Sequence, residues 1–120
     1  MHVRLLRSKL HLVTVTSAAL DYHGSITVDQ KLLDAARLHH YEVVTLGNLS
    51  NGARAETYVI PAPAGSGIVQ VNGAIARLAQ PGDRLIIMSF AYLEPSECKD
   101  HKPRIVVCGE RNSIAEQWDG

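Results

Sequence analysis

Residues 10–16 read LHLVTVT, a run in which His11, Val13 and Val15 fall on one face and Leu10, Leu12, Thr14 and Thr16 on the other. Alternation of this kind marks an extended strand, because successive side chains point to opposite faces of a sheet. Lys9 falls on the side of His11 by the same count. Working outward, short β-branched and apolar runs separated by Gly, Pro and Asn predict further strands at His2–Leu6, Tyr41–Leu46, Ala55–Ile60, Ile68–Val71, Arg84–Phe90 and Arg104–Cys108. Asn51-Gly52 supplies the positive backbone angles of a tight hairpin turn ahead of the strand that carries Thr57 and Tyr58. Alternation there places Arg54 and Tyr58 on one face and Thr57 on the other.

Helical signal is sparse. Thr27 and Gln30 have capping-box spacing, and Leu32, Leu33 and Ala36 form an apolar stripe that predicts one helix ending near His39. Pro95–His101, bounded by Pro95 and Pro103, predicts a second short one. The breaker-rich loops Pro61–Gly67 and Gln80–Asp83 are too short to link domains. Many short strands with one or two short helices predict a mainly β protein and a small barrel. A length of 120 residues with 46% hydrophobic content suits one domain, 1–120, whose core is mainly Val, Ile, Leu and Ala because aromatics are only 5%.

Charge narrows the function. Twelve basic and twelve acidic residues cancel, which argues against a surface built for nucleic acid or an anionic membrane. No apolar run reaches the length of a membrane span, and MHVRLLRSKLHL lacks the features of a signal peptide, so the expected location is cytoplasmic. Cys98 and Cys108 are not in a C-x-x-C arrangement and read as free thiols. The six histidines do not assemble a metal-ligand pattern; His39 and His40 are adjacent and face different directions, near a helix end whose dipole suits them.

Tyr22-His23-Gly24-Ser25 is the most informative tetrapeptide. A serine hydroxyl beside a glycine carbonyl can attack it and exchange the peptide bond for an ester, and β-elimination with hydrolysis then leaves a pyruvoyl group in place of the serine. Gly24 has no Cβ to obstruct its carbonyl and tolerates strained angles. Taken alone, Gly-Ser is a common turn dipeptide. Its weight comes from other motifs: Lys9 and His11 in SKLHLVTVT, DYHGSITVDQKLLDAA, NGARAETYVI with Arg54, Thr57 and Tyr58, VNGAIARL with Asn72, Gly73 and Ala74, and PGDRLIIMSF.

In that order and spacing the chain resembles the pyruvoyl-dependent aspartate 1-decarboxylases, from about the first strand to Phe90. The resemblance implies a double-psi β-barrel assembled as a homotetramer, with active sites between neighbouring subunits. It implies cleavage between Gly24 and Ser25 into residues 1–24 and 25–120. The pyruvoyl group from Ser25 would then form a Schiff base with L-aspartate, and β-alanine for pantothenate and coenzyme A synthesis, with carbon dioxide, would be the products.

Other roles follow from the same resemblance. Tyr58 is the proton donor, and Thr57 polarises the Gly24 carbonyl during processing as well as bordering substrate. Arg54 clamps a substrate carboxylate, as a planar guanidinium can with two parallel hydrogen bonds, and Lys9 helps anchor it. Asn72, Gly73 and Ala74 form the substrate-contacting turn, followed by Ile75. His11 either lines the site or is a satisfied barrel histidine. No external cofactor or metal is implied, and any maturation partner is unknown.

The chain departs from the family at Leu12, Gly47, Ile75 and Arg77, positions that bear on subunit packing and pocket shape. Two alternatives remain: a small barrel that never matures and only binds a ligand or protein, and a pyruvoyl enzyme acting on a related acidic amino acid.

Overall fold

A computed structural model describes residues 1–120. Its strands are β1 (Val3–Thr14), β2 (Ser17–Ala19), β3 (Ser25–Asp29), β4 (Val43–Asn48), β5 (Arg54–Ala62), β6 (Val69–Asn72), β7 (Arg84–Leu93), β8 (Arg104–Cys108) and β9 (Ile114–Asp119). The helix α1 spans Gln30–Ala36, and 3-10 turns lie at Gly73–Arg77, Pro95–Asp100 and Glu110–Asn112. All nine strands join one ribbon in the order β2-β6-β3-β5-β4-β7-β1-β8-β9. This is the mainly β chain with few short helices that the sequence predicts, consistent with a small barrel, although the ladder is not closed. Backbone bonds from Thr16 N to Val69 O, Val15 N to Asp83 O and Gly82 N to Val15 O fasten the end of β1 to β6 and the turn before β7.

Three neighbouring pairs are parallel: β1 with β8, β2 with β6 and β3 with β5. A parallel pair cannot be closed by a tight hairpin, so the chain must cross over between distant segments. One face of the ribbon packs inward around Leu10, Val13, Ile26, Val28, Val44, Val59, Val71, Ile87 and Val106, with Leu32, Leu33 and Ala36 of α1 on the same core. These side chains are aliphatic, as the composition requires.

The two strands expected before residue 17 are one continuous strand with two breaks in register against β7, between Leu6 and Ser8 and between His11 and Val13. Leu12 sits at the second break with φ 68°. A bulge adds one residue and reverses the alternation beyond it. Leu10, Val13 and Val15 are therefore all buried, and the predicted grouping of His11 with Val13 and Val15 fails. His11 stays with Lys9, on the side away from Leu10.

The helix also begins later than predicted. Thr27 lies within β3, and Asp29 is the N-cap, its carboxylate accepting from Lys31 N at 2.8 Å. It also accepts from Gly65 N and Gly67 N, both at 2.9 Å, and so ties the loop before β6 to the helix start. Burial would raise the Asp29 pKa, but the hydrogen bonds from Gly67, Lys31 and Gly65 hold it below the ordinary value. The helix ends at Arg37, whose φ of 61° turns the chain at the C-cap. His39 and His40 thus lie beyond it, and His40 stacks on Tyr41 with ring centroids 3.9 Å apart. The predicted second helix is the 3-10 turn at Pro95–Asp100, and Asn51-Gly52 lies in the longer connection between β4 and β5.

Beneath that region Glu42 accepts from Arg7, from the Ser89 hydroxyl and from His39 N. Burial opposes ionisation of Glu42, yet the bonds from Ser89 and Arg7 win and keep its carboxyl below the ordinary range. Cys98 and Cys108 are free, and burial pushes the Cys108 thiol up to about 11.

Candidate active site

Ser25 opens β3, where it faces Asn72 of β6 in the antiparallel ladder. Its side chain is wholly buried, while the preceding Gly24 is exposed. The Ser25 Oγ accepts a hydrogen bond from Asn72 Nδ2 at 2.9 Å, and its own hydrogen points to His23 O at 3.4 Å. The second hydrogen of the Asn72 amide goes to Thr27 Oγ1, also at 2.9 Å. Asn72 Oδ1 in turn accepts from Gln70 Nε2 at 2.7 Å, and Gln70 Oε1 accepts from Ser17 Oγ at 2.8 Å. Strand alternation puts Gln70 and Asn72 on one face of β6, and Ser25 and Thr27 on the matching face of β3, opposite the core residues Ile26 and Val71.

The chain turns sharply after Asn72. Gly73 has φ 71°, and a Cβ built on it would lie 2.8 Å from Gly24 Cα, 2.9 Å from Gly24 N and 3.0 Å from Tyr22 O. No side chain fits between these two glycines. Ala74 is exposed on the following 3-10 turn, and Ile75 packs back onto the core.

The other flank of β3 is β5, paired in parallel with Ile26 beside Val59. One step back along this register sets Tyr58 beside Ser25, on the same face, with Thr57 turned to the opposite face as alternation predicts. Thr57 pairs with the buried Val44. The Tyr58 ring lies 6.0 Å from that of Tyr41. Arg54 stands on the Tyr58 face four residues earlier, exposed and without a hydrogen bond or ion pair, and shares an apolar recess with Leu46, Ile75 and Leu85.

Lys9 and His11 do not join this group within the chain. Register partners run from His11 through Ile86 and Gly47 to Arg54, so the two basic residues share a row on one face of the sheet. Three strand spacings separate them, about 14 Å. The His11 Nδ1 is buried without a hydrogen-bond partner within the chain. Burial, then the charges of Lys9 and Arg84, lowers its pKa and keeps the ring neutral near pH 7. No three His, Cys, Asp or Glu side chains gather to hold a metal, and no helix is long and apolar enough to cross a membrane.

Ser17, Thr27 and Gln70 are polar residues of the site that the motifs do not single out. The alternation VQVN (69–72) could have grouped Gln70 with Asn72; nothing local connects either to Ser25, 47 residues earlier than Asn72.

The site thus places a buried serine hydroxyl, held by Asn72, directly after an exposed glycine. Comparison with known proteins shows the family. The family described as aspartate decarboxylase matches residues 1–115. A protein of Clostridium acetobutylicum named aspartate 1-decarboxylase is 50% identical over 115 residues, covering 96% of this chain and 91% of its own. Proteins of the same name from Salinibacter ruber and Bacillus licheniformis are each 50% identical over 116 residues, covering 97% of this chain and 80% and 91% of their own.

Proposed function

This chain belongs to the aspartate decarboxylase family, and from that premise we propose that it cuts itself between Gly24 and Ser25 and then converts L-aspartate to β-alanine and carbon dioxide. The observation that carries the reading is the buried Ser25 hydroxyl, held by Asn72 beside a glycine that Gly73 leaves room for.

In maturation the Ser25 Oγ adds to the Gly24 carbonyl carbon, the carbon–nitrogen bond breaks, and the hydroxyl proton ends on the freed Ser25 amine. Thr57, in the role the family resemblance gives it, polarises that carbonyl. Loss of the Ser25 Cα proton then expels the Gly24 carboxylate with Oγ. Water replaces the Ser25 nitrogen, which departs as ammonia. Asn72 Nδ2 donates to the atom that carries negative charge at both stages, the kind of placed donor that lowers such barriers.

The residues present fit a pyruvoyl group made from Ser25: the hydroxyl has a built donor, and no motif for an external cofactor is present. That group supplies a ketone that takes up the substrate amine and accepts the electron pair freed as carbon dioxide leaves. Arg54, an unpaired guanidinium, holds a substrate carboxylate in two parallel hydrogen bonds. Tyr58, beside Ser25, returns a proton to the substrate Cα. Lys9 and His11 reach the site from a neighbouring copy in a homotetramer, which overcomes their separation from Arg54 within one chain. Ala74 and Ile75 border the substrate.

An intact-mass spectrum tests the maturation. Two fragments whose masses sum to the intact chain plus one water minus one ammonia are expected, with carbon dioxide released from aspartate in preference to glutamate or cysteine sulfinate. Ser25→Ala should stay one folded chain without decarboxylase activity, and borohydride with aspartate should label only the wild-type 25–120 fragment. Activity in uncleaved Ser25→Ala protein overturns the reading.

A further inference from the structure

We propose that Gln70 is a positioning residue for self-cleavage, because it fixes which end of the Asn72 carboxamide faces Ser25; this rests on the reading that the chain cuts itself at Gly24–Ser25. An amide has an oxygen that only accepts and a nitrogen that only donates, so its orientation decides whether Asn72 gives a hydrogen to Ser25 Oγ or takes one. The hydroxyls of Ser25 and Thr27 can each give or take a hydrogen, and together they offer two acceptors to the nitrogen end of the amide, while its oxygen end has the Gln70 donor.

Two amides in contact must alternate, one giving and the other taking, so the orientations of Gln70 and Asn72 are coupled. The hydrogens run from Ser17 Oγ to Gln70 Oε1, from Gln70 Nε2 to Asn72 Oδ1, and from Asn72 Nδ2 to both Ser25 Oγ and Thr27 Oγ1. This direction satisfies both hydrogens of an amide that is wholly buried. Reversal would leave Asn72 nitrogen with Gln70 as its one partner and a buried N–H without an acceptor, an arrangement that proteins avoid.

The direction has a chemical consequence. A donor at Ser25 Oγ stabilises the charge that grows there as the proton leaves, and again as the Cβ–Oγ bond breaks and the oxygen departs with the Gly24 carboxylate. An amide oxygen in the same place would repel the charge that builds on Oγ as it departs. Gln70 touches none of the reacting atoms; it acts through Asn72.

Gln70→Glu and Gln70→Met separate this role from simple packing. The ionised carboxylate of Gln70→Glu can only accept, so Asn72 must turn its nitrogen toward it and its oxygen toward Ser25. Once protonated, the same carboxyl can again donate to Asn72 Oδ1 while accepting from Ser17. The measurement is the rate at which freshly purified chain splits after Gly24, followed by mass spectrometry from about pH 4.5 to 8 to span the carboxyl titration and divided by the wild-type rate at each pH. Gln70→Met, which unlocks the amide without reversing it, should split more slowly than wild type by the same factor at every pH. Gln70→Glu, whose carboxylate forces the reversal, should be about tenfold or more slow at the alkaline end and recover as pH falls toward the carboxyl range, about 4.3 for a free glutamate. Melting of each change in the Ser25→Ala chain checks the fold; if Gln70→Glu does not fold, Gln70→Met decides alone. Wild-type splitting rates in the folded variants, or a Gln70→Glu ratio that is flat with pH, overturn the role of Gln70. A wild type that never splits defeats the maturation reading, and this role with it.

Discussion

Gly73 bears directly on Gly24: a methyl group on Gly73 would stand 2.8 Å from Gly24 Cα. Contacts that close are not found between real Cβ and backbone atoms, so a side chain at 73 must push the cleavage dipeptide out of place. Gly73→Ala should therefore slow splitting far more than it lowers melting temperature, since overpacking of this kind costs about 1–3 kcal/mol. Gly47→Ala is the control, because a Cβ there meets nothing within 4 Å. A time course of fragment appearance reads the difference, and equal rates for the two variants would remove Gly73 from the processing geometry.

Tyr58→Phe should split normally and turn over slowly. In the proposed reaction the phenol is the acid that returns the proton, and such acids contribute on the order of 10²–10⁴-fold. The loss belongs in kcat. A fully split variant with wild-type kcat would transfer the proton to another group.

Arg54→Lys should not restore what Arg54→Ala loses. Arg54 has no partner in the chain to hold its guanidinium, and a lysine offers a point charge in place of a planar fork. KM for aspartate should rise in both variants, with splitting unchanged. Wild-type KM in Arg54→Lys would refute the two-point clamp.

Acid should destabilise the Ser25→Ala chain through Glu42 and Asp29. Both carboxyls are held below their ordinary values in the fold, so the unfolded chain binds more protons between the folded and unfolded pKa. Stability from these groups is then complete above the unfolded range, about pH 4, and is lost as pH falls through the folded values. Melting temperature should be flat from about pH 6 to 8 on their account and drop below about pH 4. Glu42→Gln should melt lower at neutral pH and decline less in acid; a steeper acid decline would contradict the assignment.

The strands were legible where alternation is regular, as at ETYVI, whose phase the structure keeps. β1 was not, because the extra residue at Leu12 turns Val13 toward the core, and one bulge is enough to exchange the faces of everything beyond it. β3 and β9 escaped notice for different reasons. SITVD is short and runs straight into a helix, so its polar residues read as caps, although Thr27 serves Asn72 and Asp29 does the capping. IAEQWD is a largely exposed edge strand with no apolar face to give a period. The motif residues of the site could be named from sequence, but their company could not: Ser25 meets Asn72 through a ladder between distant segments, and Gln70 matters only once that meeting is known.

The pairing of β1 has a further consequence for the life of the protein. This strand lies between β7 and β8 and is bonded along both edges, yet it belongs entirely to residues 1–24. A cut after Gly24 would put an interior strand of the sheet on a separate peptide. From then on, recovery from unfolding is a meeting of two molecules, slower at every dilution, where the uncut chain carries its own partner at high effective concentration. The single chain is thus the form that assembles most readily, and the proposed cut belongs after folding. A cut molecule that lost its shape would regain it only through a slower encounter whose rate falls with dilution.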